Sequence, residues 1–471
     1  MADPHPRRKR TARGGPWAVP GFRLLLAGQF TSTLGDYCFA VALPWLLLSG
    51  KGGGPVLLGA VLACYGVPRV LTIPLGGVLA DRFGGRRVML LADIARAAAT
   101  AVLASLAAST TPQLAWLAPI AVVLGACSGL FLPSSYTLLP SLLGKDELGR
   151  GNALSTMANQ VGGVLGPTAG GALVALFGAT PALALDAGSF AVSAFALLRL
   201  RTGRTAAEAP SPEEQAPAGP SFGTLLRHGR LLHVVLAVAL VANLAYNGTI
   251  EVALPGFAHQ HLGAGGYGVL LTCLSLGGLA GSMVAARARQ DRAPAKLFAV
   301  LAVVMGIALG AVPYAGGLPG AAAAIALYSV ASGWQNIVAV TMLQTWIPPA
   351  LTGRVMSLVM LAVMGTFPVS VALAGFGVRR LGPGPFFPIA GAAIAIAVLT
   401  ALTQRAFRTH RPGQAFEAPT EVGTAGTPPP TPSPEPATAT PATTSAASTI
   451  SAATTTTTTH RTVPRSQESQ G

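Results

Sequence analysis

The sequence has 471 residues, of which 51% are hydrophobic and 10% charged, with a mean hydropathy of +0.56 and a formal net charge of +15. Soluble domains carry about 25% charged residues, and a soluble helical bundle needs helices with one charged face, which this sequence lacks. The composition therefore excludes an ordinary soluble domain and indicates a protein whose apolar segments cross a membrane as helices.

Twelve apolar segments follow one another along most of the chain, each long enough to span a bilayer as a helix. They cover residues 24–49, 56–79, 88–108, 114–143, 153–177, 179–198, 231–256, 267–286, 297–315, 318–347, 355–376 and 384–404. The pattern predicts an all-α membrane protein with twelve transmembrane helices.

Positive charge is concentrated on one side of the predicted membrane. When alternate connections are assigned to opposite sides, nearly all of the 31 Lys and Arg residues fall on the side of the two termini, and only Lys51, Arg379 and Arg380 fall in connections on the other. Because cytoplasmic loops are enriched in Lys and Arg, we expect a multi-pass plasma-membrane protein with both termini in the cytoplasm. The basic charge then reports topology and contact with membrane lipid, and no motif supports binding to nucleic acid.

Polar segments divide the chain into five parts. A basic cytoplasmic N-terminus at 1–23 precedes a six-helix half at 24–199, and a cytoplasmic linker at 200–230 leads to a second six-helix half at 231–405. Residues 406–471 are rich in Thr and Pro and cannot form an apolar core, so we expect a disordered cytoplasmic tail. Two weakly similar halves are typical of transporters that rock one half against the other around a central site.

The connection between the second and third segments reads "GGVLADRFGGRRVML", from Gly76 to Leu90. In a chain of six plus six segments, it resembles the signature loop of the major facilitator superfamily. The family pattern falls on Gly77, Leu79, Ala80, Asp81, Arg82, Gly84, Arg86 and Arg87, and it departs at Gly85, where a basic residue is usual. The first segment and "LADIARA" resemble the bacterial exporter branch, which includes siderophore exporters and macrolide-type efflux pumps.

The resemblance implies a gate at this loop. Asp81 is expected to meet the N-terminus of the eleventh helix, near Gly353 and Arg354, when the cytoplasmic side closes; a carboxylate is stabilised there by the helix dipole. The glycines would permit close helix packing, and the arginines would pair with neighbouring groups or lipid phosphate. The alternative is a basic loop that only fixes topology, which explains the arginines but neither Asp81 nor the glycines.

The fifth segment contains "GGVLGPTAGG". It resembles the motif of proton-coupled antiporters in the superfamily, which favours export. Spacing of four places three of its glycines on one face for tight packing, and its proline bends the helix. The alternative is general packing of small residues. The motif consists of Gly162, Gly166, Pro167, Gly170 and Gly171.

Six ionisable residues lie within the apolar segments, where charged groups are rare and costly. They are Asp36, Arg69, Asp93, Arg96, Asp186 and Glu251. The helical rise places Asp36 close to the midplane and within possible reach of Arg69. The spacing of Asp93 and Arg96 predicts a local, structural ion pair, and Asp186 is expected to form a hydrogen bond between helices.

Asp36 and Glu251, one in each half, are the candidates for proton coupling, because a carboxyl group in an apolar environment can bind and release a proton. The alternative for each is a fixed polar brace in the bundle. Superfamily exporters often carry an arginine in the fourth helix, and the fourth segment here has none. Coupling through that residue is therefore not supported, although Arg69 or Arg96 could take its place.

Other chemistries lack a basis in the sequence. There is no phosphate-binding Gly-x-x-x-x-Gly-Lys-[Ser/Thr] loop for ATP, no nucleophile–base constellation for an enzyme, and no cofactor motif. His259 and His261 fall in a predicted outer loop without the further ligands that a metal site requires. We expect no enzyme, no cofactor and no metal.

The sequence thus predicts a secondary transporter that works by alternating access as a monomer, exporting an amphipathic drug, natural product or siderophore by proton antiport. Polar groups are expected to line its mostly apolar cavity, from Gln29, Asn159, Gln160, Asn243, Asn247, Gln335 and Asn336 together with Asp36. Two alternatives remain: a transporter-like sensor or scaffold without transport, and a facilitator or importer of a small metabolite.

Overall fold

The computed structural model describes residues 15–50, 52–109, 111–144, 147–200, 222–288, 294–348 and 351–408. Throughout these residues the chain is helical, with short turns and no strands. The expectations for residues 1–14, for most of the linker and for the tail beyond residue 408 lie outside the described residues.

Twelve helices are long and apolar enough to cross a membrane, which confirms the prediction. We label them α1 to α12 in chain order: Pro20–Ser49, Pro55–Phe83, Gly85–Ser109, Leu114–Leu142, Leu148–Phe177, Ala179–Arg199, Arg230–His261, Gly263–Arg287, Ala295–Tyr314, Leu318–Trp346, Thr352–Leu381 and Phe386–Thr403. Several extend a turn beyond the predicted apolar segments, because a helix that satisfies its own backbone hydrogen bonds can continue into a polar region. Short helices at Phe222–His228 and Arg405–Arg408 precede α7 and follow α12.

The helices pack as two halves of the same design. In the first half, α1 packs against α5 and α6, α2 against α4, and α3 against α4 and α6. The second half repeats each contact six helices later, so that α7 packs against α11 and α12, α8 against α10, and α9 against α10 and α12. The main contacts between the halves, α2 with α11 and α5 with α8, are also related by this repeat. The predicted arrangement of two six-helix halves is therefore confirmed.

The two ends of the bundle differ in how closely the halves meet. We call the end where α1 begins and α12 ends the terminal face, and the other end the distal face. At the distal face, Ser49 at the end of α1 is hydrogen-bonded through Oγ to Nε2 of His259 in α7, at 2.9 Å. The ring of Trp45 lies 4.8 Å from the ring of the same histidine. The halves are thus joined at the distal face.

Candidate functional site

Two adjoining cavities lie on the inner surfaces of the helices. The first, of about 480 Å³, is bounded mainly by α1, α2, α3 and α4, and the second, of about 740 Å³, mainly by α7, α8, α10 and α11. Tyr37, Ala40 and Glu251 line both. The second cavity reaches Ser282 and Met356, near the terminal ends of their helices. The cavities therefore lie between the closed distal face and the terminal face.

Charged side chains are concentrated in the first cavity. Asp36 of α1, Arg69 of α2 and Arg96 of α3 line it. The carboxylate of Asp36 is accessible from the cavity although it lies near the middle of α1. Among the described residues Asp36 forms no ion pair with Arg69, in contrast to the expected contact; the two side chains share the cavity wall instead.

Arg96 is held from several sides. It forms an ion pair with Asp93, and Oγ of Ser193 in α6 donates a hydrogen bond of 2.6 Å to the second oxygen of that carboxylate. Its guanidinium lies between two aromatic rings, 4.4 Å from the centroid of Phe131 and 4.3 Å from that of Phe190. The local pair predicted from the spacing is thus present and buried, and it is tied to α6 and α4.

Asp186 is buried in α6, where it faces α1 at Gly35. A Cβ added to that glycine would lie 2.7 Å from Oδ1 of Asp186 and 2.8 Å from Cβ of Ser189, so the glycine lets the two helices pack closely at this point. The hydroxyl of Ser189, one turn along α6, donates to the backbone oxygen of Asp186 at 2.8 Å. Among the described residues, the carboxylate of Asp186 accepts a hydrogen bond of 3.5 Å from the same hydroxyl, which lies within α6 and not on another helix as expected.

Glu251 lies in a π-helical turn, Thr249–Ala253, that interrupts α7. Pro255 follows and lacks the N–H that a regular helix would use, which favours a wide turn at this point. Such turns re-aim side chains and are frequent at functional sites. The hydroxyl of Ser370 in α11 donates a hydrogen bond to the carbonyl oxygen of Leu244, about two turns before Glu251, which anchors α7 there. The carboxylate of Glu251 consequently reaches the wall shared by the two cavities.

Six of the seven predicted polar lining residues lie on the cavity walls. Gln29 and Asn159 line the first cavity, and Gln160, Asn243, Gln335 and Asn336 line the second. Asn247 lines neither cavity.

Two of these amides are fixed by hydrogen bonds to other helices. Asn159 accepts a hydrogen bond of 2.9 Å from Thr33 of α1, and Gln335 donates one of 3.0 Å to the carbonyl of Phe298 in α9. The Oε1 atom of Gln29, by contrast, is buried without a hydrogen-bond partner among the described residues. Gln29 thus retains acceptor capacity beside the first cavity.

The signature loop lies at the terminal face. Gly84 ends α2 with a φ of +87°, which glycine adopts without strain. Nε and Nη2 of Arg86 donate hydrogen bonds of 2.8 and 2.9 Å to the carbonyls of Leu197 and Leu198 at the end of α6. Arg86 thus caps a helix C-terminus, where positive charge is favourable.

The expected contact of Asp81 with α11 is not formed in this conformation. Asp81 is exposed and has no hydrogen bond or ion pair with any described residue. Arg82 and Arg87 of the same loop are also exposed. A Cβ added to Gly77, or to Gly353 of α11, would meet nothing within 4 Å, whereas one on Gly76 would lie 2.9 Å from the carbonyl of Leu130 in α4. The loop therefore packs within its own half, and Gly77 and Gly353 each border open space.

The glycines of α5 pack against α1. A Cβ on Gly162 would lie 2.9 Å from Thr33, one on Gly166 would lie 2.5 Å from Cβ of Tyr37, and one on Gly170 would lie 2.8 Å from Cα of Cys38. These glycines therefore set the position of the helix segment that carries Asp36.

His259 and His261 lie in the last helical turns of α7 near the distal face, and not in a loop as predicted, because the helix continues to His261. His259 is occupied by Ser49 and Trp45, as described above, and Nδ1 of His261 is hydrogen-bonded to the carbonyl of Phe257 at 3.0 Å. Across the described part of the chain, no group of three or more His, Cys, Asp or Glu side chains could hold a metal ion.

Sequence reasoning missed the aromatic residues of the site. Tyr37, Tyr246, Tyr267 and Tyr328 line the second cavity, and the rings of Tyr246 and Tyr328 are stacked 6.0 Å apart at an angle of 11°. Aromatic residues in an apolar segment look like packing residues until their neighbours are known. The chain has only seven tyrosines, and this scarcity was the one feature of the sequence that could have drawn attention to them.

Comparisons with known proteins agree with this architecture. The family model of the Major Facilitator Superfamily matches residues 25–315. The chain is 26% identical over 361 residues to the multidrug efflux pump Tap of Mycolicibacterium fortuitum, covering 75% of this chain and 88% of Tap. It is 25% identical over 342 residues to the enterobactin exporter EntS of Citrobacter koseri, covering 71% of this chain and 80% of EntS.

A solved structure shares the fold. The crystal structure of the nucleoside transporter NupG (D323A mutant) superposes with a TM-score of 0.66 at 13% identity, over 81% of this chain and 99% of NupG. Members of the superfamily are membrane transporters of small molecules rather than enzymes. From its sequence match and its twelve helices in two repeated halves, this chain belongs to the Major Facilitator Superfamily.

Proposed function

We propose that the protein exports an amphipathic small molecule from the cytoplasm across the plasma membrane by alternating access, in exchange for protons. The observation that carries this proposal is the position of Asp36 and Glu251. They come from different halves, line one cavity between those halves, and have no ion-pair partner among the described residues. A carboxyl group in such a position can take up a proton in one conformation and release it in the other.

The direction of transport is supported by the relatives and by charge. Tap and EntS, which are exporters by name, align over most of this chain. The Lys and Arg bias places the terminal face in the cytoplasm. In that orientation the structure is closed toward the outside and has its cavities toward the cytoplasm, which suits the uptake of a substrate for export.

The other end of the cycle would use the signature loop. When the halves rock to open the distal face, the terminal ends of α2 and α11 approach each other. Asp81 would then meet the N-terminus of α11 at Gly353 and Arg354, across the space left by Gly77. The contact would hold the cytoplasmic side shut through the helix dipole.

Everted membrane vesicles test the proposal, because export into their interior appears as uptake. The substrates are ethidium, a macrolide antibiotic and the catechol siderophore enterobactin, and the vesicle interior is acidified before each is added. We expect at least one of them to accumulate above the level in vesicles without the protein. The accumulation should collapse when nigericin dissipates the pH gradient. Accumulation that survives nigericin, or no accumulation of any of the three, would contradict proton-coupled export of this substrate class.

A further inference from the structure

The two cavities differ in charge. Among the described residues that line the second cavity, Glu251 is the only one with a charged side chain. The first cavity carries Arg69 and Arg96. A ligand group that enters the second cavity therefore meets one negative charge and no positive one on the wall.

The same wall is rich in aromatic surface. Tyr37 and Glu251 both lie at the junction of the cavities, and the stacked pair Tyr246 and Tyr328 lies in the second. The faces of tyrosine rings attract organic cations, and the attraction grows where water is excluded. Farther along, Phe298, Met305 and Met356 supply apolar surface that adapts to irregular groups.

Glu251 has no direct partner for its carboxylate among the described residues, none of which donates a hydrogen bond to it or forms an ion pair with it. Its nearest counter-charge is Arg69, which shares the wall of the first cavity and attracts it electrostatically without forming an ion pair. An ionised carboxylate at this depth is stabilised by a cation, and the cavity that it faces has room for one with bulky substituents.

We propose that the second cavity is a binding site for amphipathic organic cations. The cationic centre lies at Glu251, against the tyrosine faces, and the apolar substituents extend toward Phe298 and Met305. This proposal rests on the proposed function, since it names the charge class of the exported molecule. The two fail separately, because binding to purified protein requires neither transport nor a proton gradient.

Two ions of the same shape and opposite charge provide the test. Tetraphenylphosphonium is a cation and tetraphenylborate an anion, so their hydrophobic surfaces are closely matched. Equilibrium dialysis against the purified full-length protein in detergent measures the dissociation constant of each, with empty micelles as the blank. We expect the cation to bind at least about tenfold more tightly than the anion.

Variants locate the site. Glu251→Gln should weaken cation binding by about tenfold or more, while Glu147→Gln, which removes an acid between α4 and α5, should leave it unchanged. Tyr246→Leu should weaken it several-fold, and Tyr246→Phe, which keeps the ring face, should not. Tyr136→Leu, an exposed tyrosine on α4, is the matched control.

Several results would overturn the proposal. One is equal or tighter binding of tetraphenylborate to the unaltered protein, which requires no variant to fold. A second is that Glu251→Gln leaves cation binding intact. A third is that cation binding is lost in Asp36→Asn but retained in Glu251→Gln. The last result would place the cation in the first cavity.

Discussion

Gly171 of α5 and Gly268 of α8 join the two halves near the distal face: a Cβ on Gly171 would lie 2.9 Å from Cα of Gly268. Thr168 and Thr272, about one turn away, are hydrogen-bonded to each other at 2.6 Å. The closure of the distal face thus depends on direct backbone contact, which larger side chains cannot reproduce.

Gly268→Leu should therefore shift the protein toward a conformation with an open distal face. Spin labels at Thr111, in the loop after α3, and at Tyr314, at the distal end of α9 in the other half, report this change through their distance distribution. We expect the population at longer distances to rise in the variant. Gly278→Leu, at a glycine of α8 whose Cβ would meet nothing within 4 Å, should leave the distribution unchanged. A distribution unaffected by Gly268→Leu would show that this contact does not hold the face closed.

The strip of glycines on α5 gives a second prediction. A Cβ on Gly166 would lie 3.0 Å from the carbonyl of Leu34, so Gly166→Val must push α5 away from α1. Overpacking of this kind costs about 1–3 kcal/mol, and we expect a lower thermal midpoint and reduced transport. Gly188→Ala in α6 meets open space and should be neutral or slightly stabilising. Equal midpoints for the two variants would contradict the tight packing of α1 on α5.

The signature loop gives a third prediction, which separates its arginines. Arg86→Ala leaves two carbonyls at the end of α6 without their charged donor, and we expect a loss of about 1–2 kcal/mol of stability. Arg87→Ala, at an exposed position, should cost little. Thermal unfolding in one detergent compares the two, and a larger effect from Arg87→Ala would argue against the capping role of Arg86.

The buried pair of Asp93 and Arg96 gives a fourth. Removing one partner leaves the other charged and buried, which costs about 3–5 kcal/mol. Asp93→Asn and Arg96→Gln should each lower stability strongly, and the double variant should be less destabilised than the sum of the two. A double-mutant cycle on thermal stability measures the coupling. Additive effects would mean that the two side chains do not act as a pair.

The sequence was sufficient for the fold because the bilayer imposes simple rules. Apolar length identifies the spans, and polar residues inside them, such as Asp36 and Arg96, point to the interior of the bundle. The spacing of Asp93 and Arg96 also predicted their pair, because both lie on one helix. The signature loop also identified the protein family.

The contacts between helices could not be predicted in the same way. Asp36 and Arg69 share a wall without pairing, and Asn247 misses both cavities, because rotation of each helix is set by packing that one sequence does not reveal. The π-helical turn at Glu251 had a local signal in Pro255, but its effect on direction depends on the surrounding helices. The tyrosines of the second cavity form a group only when the halves are assembled.

The central claim, export coupled to protons through Asp36 and Glu251, is tested most directly by measuring proton movement. Proteoliposomes contain the protein and the pH-sensitive dye pyranine in their interior, and a substrate identified in the vesicle assay is added outside. Antiport should carry the substrate inward and protons outward, so that the internal pH rises. In Asp36→Asn the rise should be absent while substrate binding remains detectable. Substrate entry without any change of internal pH in the unaltered protein, or an undiminished rise in Asp36→Asn, would contradict the claim.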